Sequence, residues 1–224
     1  MEITAVMLAR VVAFIEVQEL NPKGKAYYPD IAAALVKKFN FQVYPTKPED
    51  FDEAKGVRFA EGKFTDGTVD QLQIYTHGLV LDTRLSTDVS EKLLYDTLAW
   101  TKSELGLHFD ERMIKRRGYG SQLTFESEMK MSKINRAVGE IADAISSKLS
   151  ATMGQTVIYE PTGLLFNLDQ SVTKLMPGAF SIERRAEIPF SDKKYFSNAP
   201  LETQDHIELL KTFEAYLLSR PTRI

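Results

Sequence analysis

Apolar and polar positions alternate along this chain in a way that divides it into two stretches of similar element order. Residues 3 to 17 are apolar on both alternating faces. Ile3, Ala5, Met7, Ala9, Val11, Ala13 and Ile15 form one face, and Val6, Leu8, Val12 and Phe14 the other. That pattern predicts a strand covered on both sides, in a central position of a sheet. Pro29 opens a predicted helix through Phe39, with Ile31, Ala34, Leu35 and Phe39 on one side. Residues 57–64 and 69–76 flank Thr65-Asp66-Gly67-Thr68, where Asp-Gly signals a hairpin, and residues 79–85 read as a further strand. A helix is predicted over 88–105, with Thr87 placed to accept its first free amides.

The later stretch opens with a clean alternation over 119–130. Tyr119, Leu123, Phe125 and Met129 point one way, and Gln122, Thr124, Glu126, Glu128 and Lys130 the other, as in a half-buried antiparallel strand. Ser132 is positioned to cap a helix to Leu149, whose Ile134, Ala137, Val138, Ile141, Ala142, Ile145 and Leu149 recur at helical period. Strands are expected over 155–160, 164–168 and 179–188, and a last helix over 203–218.

Two segments at the ends of these stretches echo one another. A shift of 116 positions lays "LSTDVSEKLLYDTLAW" at 85–100 on "LETQDHIELLKTFEAY" at 201–216, with five identities in 16 positions, among them Thr87 with Thr203. Element order and residues together predict an internal duplication. The expected fold is α+β: two β-α-β(3–4)-α halves, 1–112 and 113–224, making one curved antiparallel sheet backed by helices. That repeated order resembles the fold of TATA-box-binding proteins. The resemblance is one of element order alone and carries over no residue and no function.

Composition removes several classes. A net charge of −3 argues against a general nucleic-acid binder. With no cysteine, disulfides, thiol catalysis and thiolate metal sites are excluded, in keeping with a reducing compartment. Arg10 and Glu16 interrupt the apolar N-terminal run, and no uninterrupted apolar stretch of about 20 residues follows. The expectation is a cytoplasmic protein without membrane contact.

Three clusters are candidates for chemistry. Arg116 and Arg117, preceded by Arg112 and Lys115 and followed by Tyr119, are the densest positive charge and suit phosphates or a nucleic-acid backbone, with the tyrosine as a stacking face. Against this stands an exposed loop partly neutralised by Asp110 and Glu111. Arg184 falls on the apolar face of "SIERRAEIPF", where a desolvated guanidinium needs either an internal carboxylate or an anionic ligand. Arg10 raises the same choice. Glu126, Glu128 and Lys130 share one strand face and resemble the acid–acid–lysine set of a magnesium-dependent phosphodiesterase or nuclease, although a solvated face has the same appearance. His77, His108 and His206 are scattered without metal-ligand spacing, and no phosphate-loop, dinucleotide or nucleophile-elbow motif occurs.

The sequence therefore points to a non-catalytic binding or assembly protein without metal or cofactor, forming a homo-oligomer or a subunit of a larger complex. Its concave sheet face would serve a ligand or partner, and helix faces bearing Trp100 and Tyr216 would favour association. The alternatives are a nucleotide or nucleic-acid binder using Arg116, Arg117, Tyr119, Arg184 and Arg10, and a magnesium-dependent enzyme around Glu126, Glu128 and Lys130.

Overall fold

Eight strands form one antiparallel sheet, accompanied by four α-helices, in a computed structural model that describes residues 1–169, 171–172 and 176–219. The elements in chain order are β1 (Glu2–Phe14), α1 (Tyr28–Phe39), β2 (Val57–Phe64), β3 (Gly67–Tyr75), β4 (Gly78–Thr83) and α2 (Thr87–Leu105). They continue as β5 (Arg116–Glu126), α3 (Arg136–Met153), β6 (Gly163–Phe166), β7 (Phe180–Arg184), β8 (Lys194–Ala199) and α4 (Thr203–Ser219). The strand order across the sheet is β2-β3-β4-β1-β5-β8-β7-β6. Contacts divide the chain into two compact units, one of residues 6–122 with 200–204, the other of residues 1–5, 123–199 and 205 onward. Among the described residues no helix is long and apolar enough to cross a membrane.

In the first unit the Asp66-Gly67 turn joins β2 to β3 with Phe64 opposite Gly67, and β3 continues into β4 with Tyr75 opposite Gly78. The stripe of α1 (Ile31, Leu35, Phe39) and that of α2 (Leu93, Leu94, Leu98) bury against Val11, Ala13 and Ile15 of β1 and the apolar positions of β2–β4. β1 departs from the expected pattern. Its odd positions from Ala9 to Ile15 are buried, but Val6, Leu8, Val12 and Phe14 are only half-buried and Met7 is 45% exposed. One face carries the core; the other is apolar without being sealed.

The cap of α2 also differs. Ser86, not Thr87, is the cap, its hydroxyl accepting from the Val89 N–H, and Gly106 ends the helix in the left-handed region at φ 69°. Thr87 opens the helix itself, and its hydroxyl accepts instead from the Thr203 N–H.

The second unit has a smaller core, in which Phe125 and Tyr195 stack with ring centroids 5.5 Å apart beside Leu123, Met129, Met131, Ile182, Leu210 and Leu217. β5 ends at Glu126, before Glu128 and Lys130, because the Ser127 N–H turns to the Lys193 carbonyl and the Met129 N–H to the Ser127 hydroxyl. α3 begins at Arg136, capped by Asn135, whose side-chain oxygen accepts from the Ala137 N–H; Ser132 lies in a preceding 3₁₀ turn. Residues 155–160 are not a strand. The Val157 and Tyr159 N–H groups bond the hydroxyls of Ser150 and Ser146 on α3, so the segment runs along the helix. β7 stops at Arg184, and β8 pairs with it where no strand was anticipated.

Candidate functional site

Each candidate arginine has an internal partner or ring. Arg10 forms a two-point pair with Asp82, Nε to Oδ1 at 2.8 Å and Nη2 to Oδ2 at 2.7 Å, and the Asp82 side chain is only 4% exposed. That hydrogen-bonded carboxylate raises the Arg10 pKa. Arg117 pairs with Glu91 at 2.8 Å and bonds the Tyr95 hydroxyl, while Tyr119 donates its O–H to the other Glu91 oxygen at 2.8 Å. Two of the three groups proposed to cradle a phosphate thus converge on one carboxylate. Arg116 is exposed, and its guanidinium lies over the Phe14 ring, 4.4 Å from the centroid.

Arg184 turns inward as its place in the alternation requires, with an 8% exposed side chain. It pairs with Glu160 at 3.1 Å, donates to the Phe190 carbonyl at 3.1 Å, and sits against the rings of Phe190 and Tyr195. Arg10 and Arg184 belong to different units.

The acidic cluster does not assemble a metal site. Glu126, Glu128 and Lys130 are exposed, and Glu128 is engaged by Lys193 at 2.6 Å. Among the described residues no three histidine or carboxylate side chains gather where they would hold a metal ion. His206 is fully buried, with Nε2 2.7 Å from the Ser197 hydroxyl, and burial pushes its pKa down to about 4. Ser197 also donates to the Ser181 carbonyl at 2.6 Å and is itself fully buried. A serine–histidine pair sealed in this way has no approach for a substrate, so its work is structural.

What the second unit does expose is apolar surface. On α3 only Ala142 is buried. Val138, Ile141, Ile145 and Met153 are 39%, 62%, 37% and 59% exposed, and Ala137 and Ala144 are exposed between them. At 100° per residue, Ala137, Val138, Ile141, Ala144 and Ile145 fall on one face, and Ala142, Ser146 and Leu149 turn toward the covered side. Glu140, paired with Arg136, borders the exposed face, and Lys148, about 20° from Ile141, lies within it. β6, the outermost strand on its side of the sheet, adds Leu165 and Phe166 at 66% and 57% exposure. The β2 edge is treated differently, being covered by the Gln42–Val43 backbone bonding to Ala60.

The α3 stripe was visible in the sequence but reads there as a core face. The distinguishing signal is its width: apolar residues come in adjacent pairs at 137–138, 141–142 and 144–145, more than one buried stripe requires. Trp100 does not belong to such a surface; it is half-buried, with the Lys38 ammonium 4.5 Å from its ring. Tyr216 is 58% exposed. No protein-family model and no curated protein matches this chain.

Proposed function

We propose that this protein is a binding and assembly protein that pairs with a second copy of itself through the exposed face of α3. The observation that carries the reading is the row Val138, Ile141 and Ile145, open on a helix that buries one residue of 18. Contiguous apolar surface of this kind is what association covers. A second copy is the occupant that the two opposite charges on this face favour, Glu140 at its edge and Lys148 within it. An antiparallel helix pair centred on Ala144 sets Glu140 of each copy opposite Lys148 of the other, and Ala137 opposite Ala151, with the two small Ala144 side chains meeting at the centre.

The wider architecture belongs to the same reading: two β-α-β-β-β-α segments, each a copy of one ancestral unit in the manner of the TATA-box-binding fold. Supporting it are the element order, the mirrored strand order β2-β3-β4-β1 and β5-β8-β7-β6, and the 116-residue echo.

Sedimentation equilibrium tests the assembly claim. The wild-type chain is expected to dimerise at micromolar concentration, and Ile141→Glu to shift it to monomer with unchanged circular dichroism. Lys148→Glu should weaken the dimer, and the added Glu140→Lys should restore it. A wild-type chain that stays monomeric at the highest attainable concentration overturns the reading.

A further inference from the structure

The core of the first unit is not filled. Protein interiors pack with few voids larger than a water molecule, yet between α1, α2 and the sheet lies a cavity of about 330 Å³. Its walls are aliphatic: Ile31 and Leu35 from α1, Leu94 and Leu98 from α2, and Leu72 and Leu79 from the sheet. The threonines that reach it are already satisfied, Thr97 donating to the Leu93 carbonyl at 2.7 Å and Thr101 to the Leu98 carbonyl at 2.8 Å.

Two polar groups at the cavity stand apart from this. The Tyr28 hydroxyl is buried and has no hydrogen-bond partner. A buried hydroxyl left in this state is a standing cost unless something supplies the bond. Glu53 also lines the cavity while remaining half-exposed, and the exposed Gln18 lies at the same boundary, which marks the route to solvent. Burial and then the charge of Glu53 raise the Tyr28 pKa, so the phenol stays protonated and able to donate; desolvation raises the Glu53 pKa as well.

We infer that this cavity binds a small, uncharged hydrophobic molecule ending in a hydroxyl group, its apolar body among the α1 and α2 leucines and its head between Tyr28 and Glu53. The head must accept a hydrogen bond from the Tyr28 O–H and donate one to the Glu53 carboxylate, and an alcohol does both. A carboxylate head meets the charge of Glu53 and is rejected, which supplies specificity through repulsion. The cavity volume lies at the lower end of the range for small-molecule sites.

Titration of the full chain with 1-octanol and, in parallel, with octanoate, followed by methyl NMR of isotope-labelled Ile and Leu, decides the matter. Octanol is expected to shift the Ile31, Leu94 and Leu98 methyls saturably, with octanoate at least tenfold weaker. Tyr28→Phe should weaken octanol about tenfold while leaving the fold intact, and Glu53→Gln should bring octanoate closer to octanol. Leu98→Trp, which fills the space, should abolish the shifts. If that variant fails to fold, the Tyr28→Phe comparison decides alone. Equal affinity for the two probes, binding indifferent to Tyr28→Phe, or no saturable shift with octanol would each overturn the inference.

Discussion

Thr87 and Thr203 exchange a pair of hydrogen bonds: the Thr87 N–H donates to the Thr203 hydroxyl at 3.0 Å, and the Thr203 N–H donates to the Thr87 hydroxyl at 2.8 Å. These residues open α2 and α4, and 116 positions separate them, the same displacement that aligns the two echoing segments. Each hydroxyl thus satisfies one of the N–H groups that a helix start leaves without an intrahelical partner.

Because both threonines are buried, replacing either with valine strands an amide. Thr87→Val and Thr203→Val are each expected to cost about 1–3 kcal/mol. The double variant should cost less than their sum, with a coupling of about 1 kcal/mol, since residues in direct contact do not act independently. Urea denaturation of the four proteins measures this. Simple additivity would mean that the reciprocal pair contributes nothing as a pair.

Arg10 offers a second test. Asp82 is nearly inaccessible while Arg10 remains partly exposed, so the two partners do not contribute alike. Arg10→Met leaves a buried carboxylate uncompensated and is expected to destabilise by about 3 kcal/mol. Combining it with Asp82→Asn should recover most of the loss, which chemical denaturation at neutral pH would register. A recovery that failed to appear would show the loss to arise from packing of the arginine stem.

His206 predicts an acid dependence. Its pKa is about 4 in the folded chain, against about 6.5 in an unfolded one. Below pH 6.5 the unfolded chain takes up a proton that the folded chain refuses. Stability is therefore complete above that value and falls as pH drops toward 4, by at most about 1.4 kcal/mol per pH unit. His206→Asn removes the effect, so the stability gap between wild type and variant should narrow across that window in urea titrations. A constant gap would contradict the buried neutral state.

Much of the first unit was legible in the sequence because its signals are local. Asp66-Gly67 sets the hairpin, Pro29 starts α1, and the leucine stripe of α2 has one face to bury. The second unit was harder to read for physical reasons. Asn135 outcompetes Ser132 as a cap through a 3₁₀ turn that apolar spacing does not encode. Residues 155–160 carry strand-like side chains yet bond to α3 serines, a tertiary choice. β8 was missed because Tyr195, Ser197 and Ala199 alternate too briefly and with too small an apolar total to stand out. Among the candidate residues, Arg184 pointed inward as its alternation required. The carboxylates that engage Arg10, Arg117 and Tyr119 lie 72, 26 and 28 positions away, beyond any local pattern.

The chain contains no cysteine, so a single introduced thiol reports on the α3 pairing without ambiguity. Under mild oxidation Ala144→Cys is expected to form a disulfide-linked dimer nearly to completion, because an antiparallel pair centred there brings the two β-carbons within bonding reach. Asp143→Cys, exposed and about 160° around the same helix from Ile141, should remain monomeric. Absence of cross-linking at 144, or equal cross-linking at both positions, would contradict assembly through this face.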